Sequence, residues 1–273
     1  MNMNSKKKTS FLGELYFNKK LIFQLSKNDF KTRFAGSYLG IFWAFVQPIV
    51  TVVLYWFVFE KGLRAPSPAN VPFVLWLLAG LVPWFFFSEA WNGGTVAMLD
   101  YQYLVKKVVF QIDILPAVKV VSALFVHLFF VLFTLILYSC YGYFPDLYTL
   151  QIIYYSLCVF VLALGMSYIT SAILCFFRDL MQIIGIVLQV AMWVTPIMWN
   201  FDSITGMPGW MRKVFMLNPL FYIIQGYRDA LADKIWFFER PLYTLYFWAL
   251  TFGIFAIGVH LFKKLKVHFA DVL

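Results

Sequence analysis

Six stretches of this chain are each long enough and apolar enough to cross a bilayer, and that constrains the fold more than any other feature. A hydrocarbon core about 30 Å thick needs about 20 apolar residues in helix. The segments 38–59, 71–92, 114–141, 148–177, 180–200 and 242–262 satisfy this. The first, fourth and fifth carry no formal charge, the second only Glu89 and the third only Lys119. With 62% of its 273 residues hydrophobic and 13% charged, against about a quarter charged in soluble domains, the chain reads as one all-α integral membrane domain. The first apolar run is too long for the core of a cleavable signal.

Lys and Arg fix the expected orientation, because short cytoplasmic loops and tails are enriched in them. Fourteen sit in the N-terminal tail, the 93–113 loop, Arg178 and the C-terminal tail, and seven on the other side. Both termini are therefore expected in the cytoplasm. The net charge of +9 suits anionic lipid headgroups. It is spread over span ends and forms no groove for nucleic acid.

Two apolar regions are not read as spans. Over 10–34, Phe11, Leu15, Ile22 and Leu25 recur near helical spacing while Lys19, Lys20, Lys27 and Lys31 supply a basic face. This predicts an amphipathic helix lying in the interface, with a disordered basic tail as the alternative. Over 201–225 a strongly apolar run is broken by Pro208, Gly209 and Pro219. It predicts a re-entrant hairpin on the extracellular side, since irregular backbone at membrane depth is tolerated only inside protein or along a watery cavity. An interfacial cap over the bundle is the blander reading.

Catalytic patterns are missing. There is no phosphate-binding G-x-x-x-x-G-K-[ST] loop and no nucleophile elbow. His127, His260 and His268 stand far apart, and Cys140, Cys158 and Cys175 lack metal or redox spacing. His127 reads as a satisfied polar group and the cysteines as packing. Glu89 and Lys119 are the charges inside the second and third spans, where charge is costly; either they form an ion pair with each other or each snorkels separately to the interface. Aromatics crowd the first two spans beyond what an interfacial belt needs, and such walls suit sugar rings or a polyprenyl chain.

Four stretches resemble a known family: FKTRFAGSYLGIFWAFVQPI (30–49), LVKKVVFQIDILPAV (104–118), FFRDLMQIIGIVLQ with TPIMW (176–199) and LNPLFYIIQGYRDAL (217–231). Their order and type resemble the membrane subunit of ABC-2 type exporters of cell-surface polysaccharides, which move O-antigen, capsule and wall teichoic acid. LYWFVFEKGLR and VPFVLWLLAGLVPWFFFSEA look most like the teichoic acid permeases. The resemblance implies six spans with an N-terminal gate helix and a re-entrant lid. It implies a homodimer with two copies of a separate ATPase carrying ATP and Mg, no cofactor or metal in this chain, and an undecaprenyl-diphosphate-linked polymer as substrate. By the same resemblance 97–113 is the coupling helix, with Lys106, Lys107, Val108 and Phe110 at its centre. Tyr38, Phe42, Trp43, Trp84, Trp193 and Trp199 line the sugar path, and Lys27, Lys31 and Arg33 attract the diphosphate at the portal. A drug or small-lipid exporter shares the topology. A membrane transferase acting on isoprenoid substrates would need an acid or histidine cluster not found here.

Overall fold

A computed structural model describes residues 11–33, 37–64, 71–106, 110–201, 204 and 206–272. Among them five helices are long and apolar enough to span: Gly40–Gly62, Phe73–Asp100, Ile112–Cys140, Leu147–Leu174 and Pro241–His268. Their regular α-helical parts are α3 (Trp43–Trp56), α4 (Phe73–Asp100), α6 (Leu115–Cys140), α7 (Gln151–Leu174) and α11 (Pro241–Leu265). The shorter helices are α1 (Phe11–Phe17), α2 (Lys19–Arg33), α5 (Gln102–Val105), α8 (Leu180–Val194), α9 (Gly209–Met216), α10 (Pro219–Arg228) and α12 (Phe269–Val272).

The expected fifth span is shorter than the sequence reading gave it. Pro196 disfavours helical backbone at the residue before it, and Thr195 accordingly turns extended (φ −77°, ψ 129°). The 15 residues of α8 cover about 22 Å at 1.5 Å per residue, less than the hydrocarbon thickness. The helix still joins the two ends of the bundle. Phe176, just before it, meets Phe269 of α12 at 6.1 Å, and just after it the Ile197 carbonyl accepts from Arg228.

α4, apolar on every face over 73–87, sits at the centre, packed along α6 and α7, with α11 against the far side of α7. Without water to drive burial, helix pairs in lipid depend on close approach of small residues. Gly165 and Gly258 provide it: a Cβ on Gly165 would lie 3.1 Å from the Phe255 backbone, and one on Gly258 would lie 2.6 Å from the Gly165 carbonyl. By contrast α3 is almost bare along its length.

Both chain ends meet at one end of the bundle. Lys263 Nζ lies 5.1 Å from the Phe11 ring centre, and Lys266 Nζ bonds both oxygens of Asp113 at 3.0 and 2.9 Å. α2 lies on α6 there, and its buried face is Ile22, Ser26 and Asp29 while Phe23 points outward. Its amphipathic sense is thus partly the reverse of the expected one, with polar groups turned into the protein. Ser26 Oγ donates to the Val118 carbonyl at 2.8 Å.

The segment expected to form the hairpin holds α9 and α10 at the opposite end of the bundle, with helical structure running on to Asp233. Asn218 caps α10, accepting from the Leu220 N–H at 3.0 Å, with Pro219 at the first helical position. Successive helical residues point about 100° apart, and three in a row use this to reach different spans. Tyr227 OH bonds His127 of α6 at 3.0 Å and Ser156 of α7 at 2.6 Å. Arg228 donates to the Pro196 and Ile197 carbonyls at 2.8 and 2.7 Å and lies 3.5 Å from the Trp76 ring of α4. Asp229 pairs with Arg240, at the start of α11, at 3.1 Å.

Candidate functional site

Where α2 meets α3, α4 and the start of α6, a cavity of about 900 Å3 opens beside a buried charge network. Its hub is Asp29, 5% exposed. The carboxylate accepts from Lys119 Nζ at 2.6 Å and from Tyr101 OH at 3.1 Å, and Arg33 stands 3.6 Å away, one helical turn on. Lys119 also pairs with Asp100 at 2.7 Å, and Arg33 bonds Glu89. Burial pushes the Asp29 carboxyl up, but the hydrogen bond and charge of Lys119 outweigh it and hold it below the usual carboxylate range.

This corrects the expected Glu89–Lys119 pair. Each has a different partner, contributed by α2 or by the end of α4, so two chain-distant pairs replace one. Arg33 is likewise separated from Lys27 and Lys31. Its charge is met by Glu89 and Asp29 on the cavity wall, whereas the two lysines are exposed on the neighbouring stripe of α2, outside the cavity.

The aromatic residues expected along a sugar path divide. Tyr38, Phe42, Trp43 and Trp193 are exposed on α8 and on or just before α3. Trp199 donates from Nε1 to the Trp193 carbonyl at 2.9 Å and packs against Phe201 and Phe215 at the hairpin. Trp84 is 4% exposed and packs against Phe87, so it belongs to the core of the bundle. The unbroken apolar run at 73–87 of α4 gives no periodicity from which its inward and outward rings can be told apart.

The expected coupling segment is not one helix. Ala97–Asp100 ends α4, Gln102–Val105 forms the separate α5, and Ile112–Ile114 is a 3-10 turn leading into α6. Lys106 is exposed and Phe110 half-buried; Lys107 and Val108 lie outside the described residues. The segment is tied to the N-terminal helices through Asn18 Nδ2, which donates to Gln111 Oε1 at 2.6 Å, and through Tyr101 and Asp29.

A second cavity, of about 350 Å3, lies under the hairpin, with Gln225, Arg228, Asp229, Asp233 and Arg240 in its lining. Gln225 Nε2 donates to Asp229 at 3.0 Å and to Asp233 at 3.4 Å. Sequence reading missed Asp29, Asp100, Tyr101 and this hairpin group. The available signal was an acid, Asp29, inside an otherwise basic helix and one turn before Arg33.

The described residues thus form a bundle of apolar helices with a polar cavity beside α2 at one end and the packed pair α9 and α10 at the other, the architecture of an integral membrane protein. The profile of the ABC-2 type transporter family matches residues 20–232, and the chain belongs to that family. It is 30% identical over 232 residues to the O-antigen export system permease protein RfbA of Myxococcus xanthus, covering 85% of this chain and 88% of the relative. It is 26% identical over 254 residues to the protein of the same name from Klebsiella pneumoniae, covering 93% and 95%. To the polysialic acid transport protein KpsM of Escherichia coli it is 25% identical over 203 residues, covering 74% and 77%.

Proposed function

We propose that this chain is the permease subunit of an ATP-driven exporter of lipid-diphosphate-linked cell-surface polysaccharide. It works in a bacterial cytoplasmic membrane with both termini inside, as a homodimer joined to two copies of a separate ATPase. The observation that carries the reading is the 900 Å3 cavity between α2, α3 and α4, at the end where α2 gives the polar headgroup of a lipid carrier a route off the membrane surface. The names and coverage of the relatives agree with it. The exposed face of the Gly40–Gly62 span, with Val50, Val53, Leu54 and Phe57, is open to a second copy.

In this mechanism Lys27 and Lys31 draw the diphosphate to the portal, while Arg33, neutralised by Glu89 and Asp29, forms part of the cavity wall. Nucleotide-driven closure of the ATPase pair pushes on the 97–113 segment. The push reaches α2 through Asn18–Gln111 and Asp29–Tyr101, widening the portal, and the polymer slides outward over Tyr38, Phe42, Trp43 and Trp193 to the hairpin.

For the polymer, the relatives favour O-antigen. Wall teichoic acid is the second reading, carried by the 54–64 and 71–90 stretches of sequence. Liposomes holding the permease and its ATPase, loaded with carrier bearing each polymer or none, test both. ATP-dependent export of polymer-linked carrier is expected. Export of bare carrier alone overturns the reading.

A further inference from the structure

Resting on the permease reading above, we propose that the 900 Å3 cavity is a saccharide site, holding the sugar residues next to the lipid carrier, and that the diphosphate stays outside it on the Lys27–Lys31 stripe.

The lining argues against an anion. Its two cations, Arg33 and Lys119, face three carboxylates, Asp29, Glu89 and Asp100, and each cation already contacts two of them. A diphosphate entering here would find no uncompensated positive charge and would be repelled by groups that cannot move away without stranding a buried ion.

The same lining is rich in neutral hydrogen-bonding groups. They come as three pairs spaced one turn apart, which puts each pair on a single helix face: Asn28 and Thr32 on α2, Gln47 and Thr51 on α3, Ser88 and Asn92 on α4. The Thr32, Thr51 and Ser88 hydroxyls donate to their own backbones, which leaves their oxygens free to accept. Among the described residues the side-chain amides of Asn28, Gln47 and Asn92 have no hydrogen-bond partner, and those of Asn28 and Gln47 are exposed. These amides are therefore free to bond a polar ligand that enters the cavity. A ligand dense in hydroxyls, each both donor and acceptor, matches the set, and the half-exposed Trp43 ring on the wall gives a sugar face an apolar platform. The volume stands at the upper end of small-ligand sites, about 300–1,000 Å3, enough for more than one sugar ring. Because Lys27 and Lys31 occupy the stripe next to Asn28 and Thr32, one carrier can set its diphosphate on the first stripe and its sugars on the second.

The test uses the full-length permease in sugar-free phosphatidylcholine nanodiscs, with a neutral N-acetylglucosamine trisaccharide and inorganic diphosphate as probes. The trisaccharide is expected to bind, and Gln47→Leu with Asn92→Leu should raise its dissociation constant at least tenfold. Diphosphate should not displace it. A second measurement avoids the double variant: with Thr32→Cys, maleimide labelling of the new thiol should slow in trisaccharide and not in diphosphate. The proposal is overturned if the trisaccharide fails to bind, if it binds equally well to the double variant, or if diphosphate protects the thiol. Polymer export from liposomes by the wild-type complex separates the two ideas. A complex that exports while the nanodisc arms fail loses only the saccharide site, and a complex that exports nothing loses the permease reading.

Discussion

Replacing Asp29 by Ala removes the one acid that ties α2 to both α4 and α6. Asp29 and Lys119 side chains are 6% and 9% exposed, so their pair counts as buried. Removing one partner of such a pair costs about 3–5 kcal/mol, mostly because the other charge is left uncompensated. Lys119 keeps Asp100, half exposed, at 2.7 Å, which brings the expected cost to the low end, about 3 kcal/mol. For a domain of this size that is a melting-point drop of about 6–12 °C, read by intrinsic fluorescence of the purified protein in detergent. The double variant Asp29→Leu with Lys119→Met should recover much of the loss, since replacing both ions by apolar groups is often neutral. The sign of the pH effect follows from a carboxyl held below its ordinary value of 3.8. Its contribution is present above that value and fades as pH falls through the lower folded one, so the difference between wild type and Asp29→Ala should shrink below about pH 4. A drop of less than about 2 °C at neutral pH, or a double variant as damaged as the single one, would refute the reasoning.

Gly226→Ala should destabilise by about 1–3 kcal/mol, because the added Cβ would overlap the Tyr155 ring; Tyr155→Ala in the same chain should relieve part of the loss in a thermal melt. At the hairpin, burial pushes the Asp229 carboxyl up to about 6 against the pull of Arg240. Its contribution is full below about 3.8 and is lost as pH rises to about 6, so Asp229→Asn should flatten the melting profile between about pH 4 and 6. Arg228→Met leaves the Pro196 and Ile197 carbonyls without their donor, and limited proteolysis should cut the hairpin faster than in wild type. Lys106→Glu with Lys107→Glu should reduce co-purification of the ATPase while membrane insertion stays intact; unchanged co-purification removes that segment from the docking surface.

Much of the architecture was legible because bilayer physics acts on local sequence. A charge-free run of twenty residues is long enough to read without knowing its neighbours, and Pro208, Gly209 and Pro219 interrupt the hairpin where it stands. The length of α8 was not read correctly, because the apolar run to residue 200 masked the rule that Pro196 imposes on Thr195. Pairings were another matter. Asp29 and Lys119 are separated by 90 residues and Arg33 and Glu89 by 56, and a plausible Glu89–Lys119 pair gave way to both.

The sequence by itself determined that this chain lives in a membrane and where its apolar helices run, because hydrophobic length and helix-breaking residues act within one segment. The tertiary structure alone decided that α4 is the centre, that Trp84 is core, that Arg33 is neutralised, and that six neutral polar side chains from three helices face one cavity. Those outcomes depend on which helix faces which, and an apolar helix in lipid carries no pattern strong enough to say.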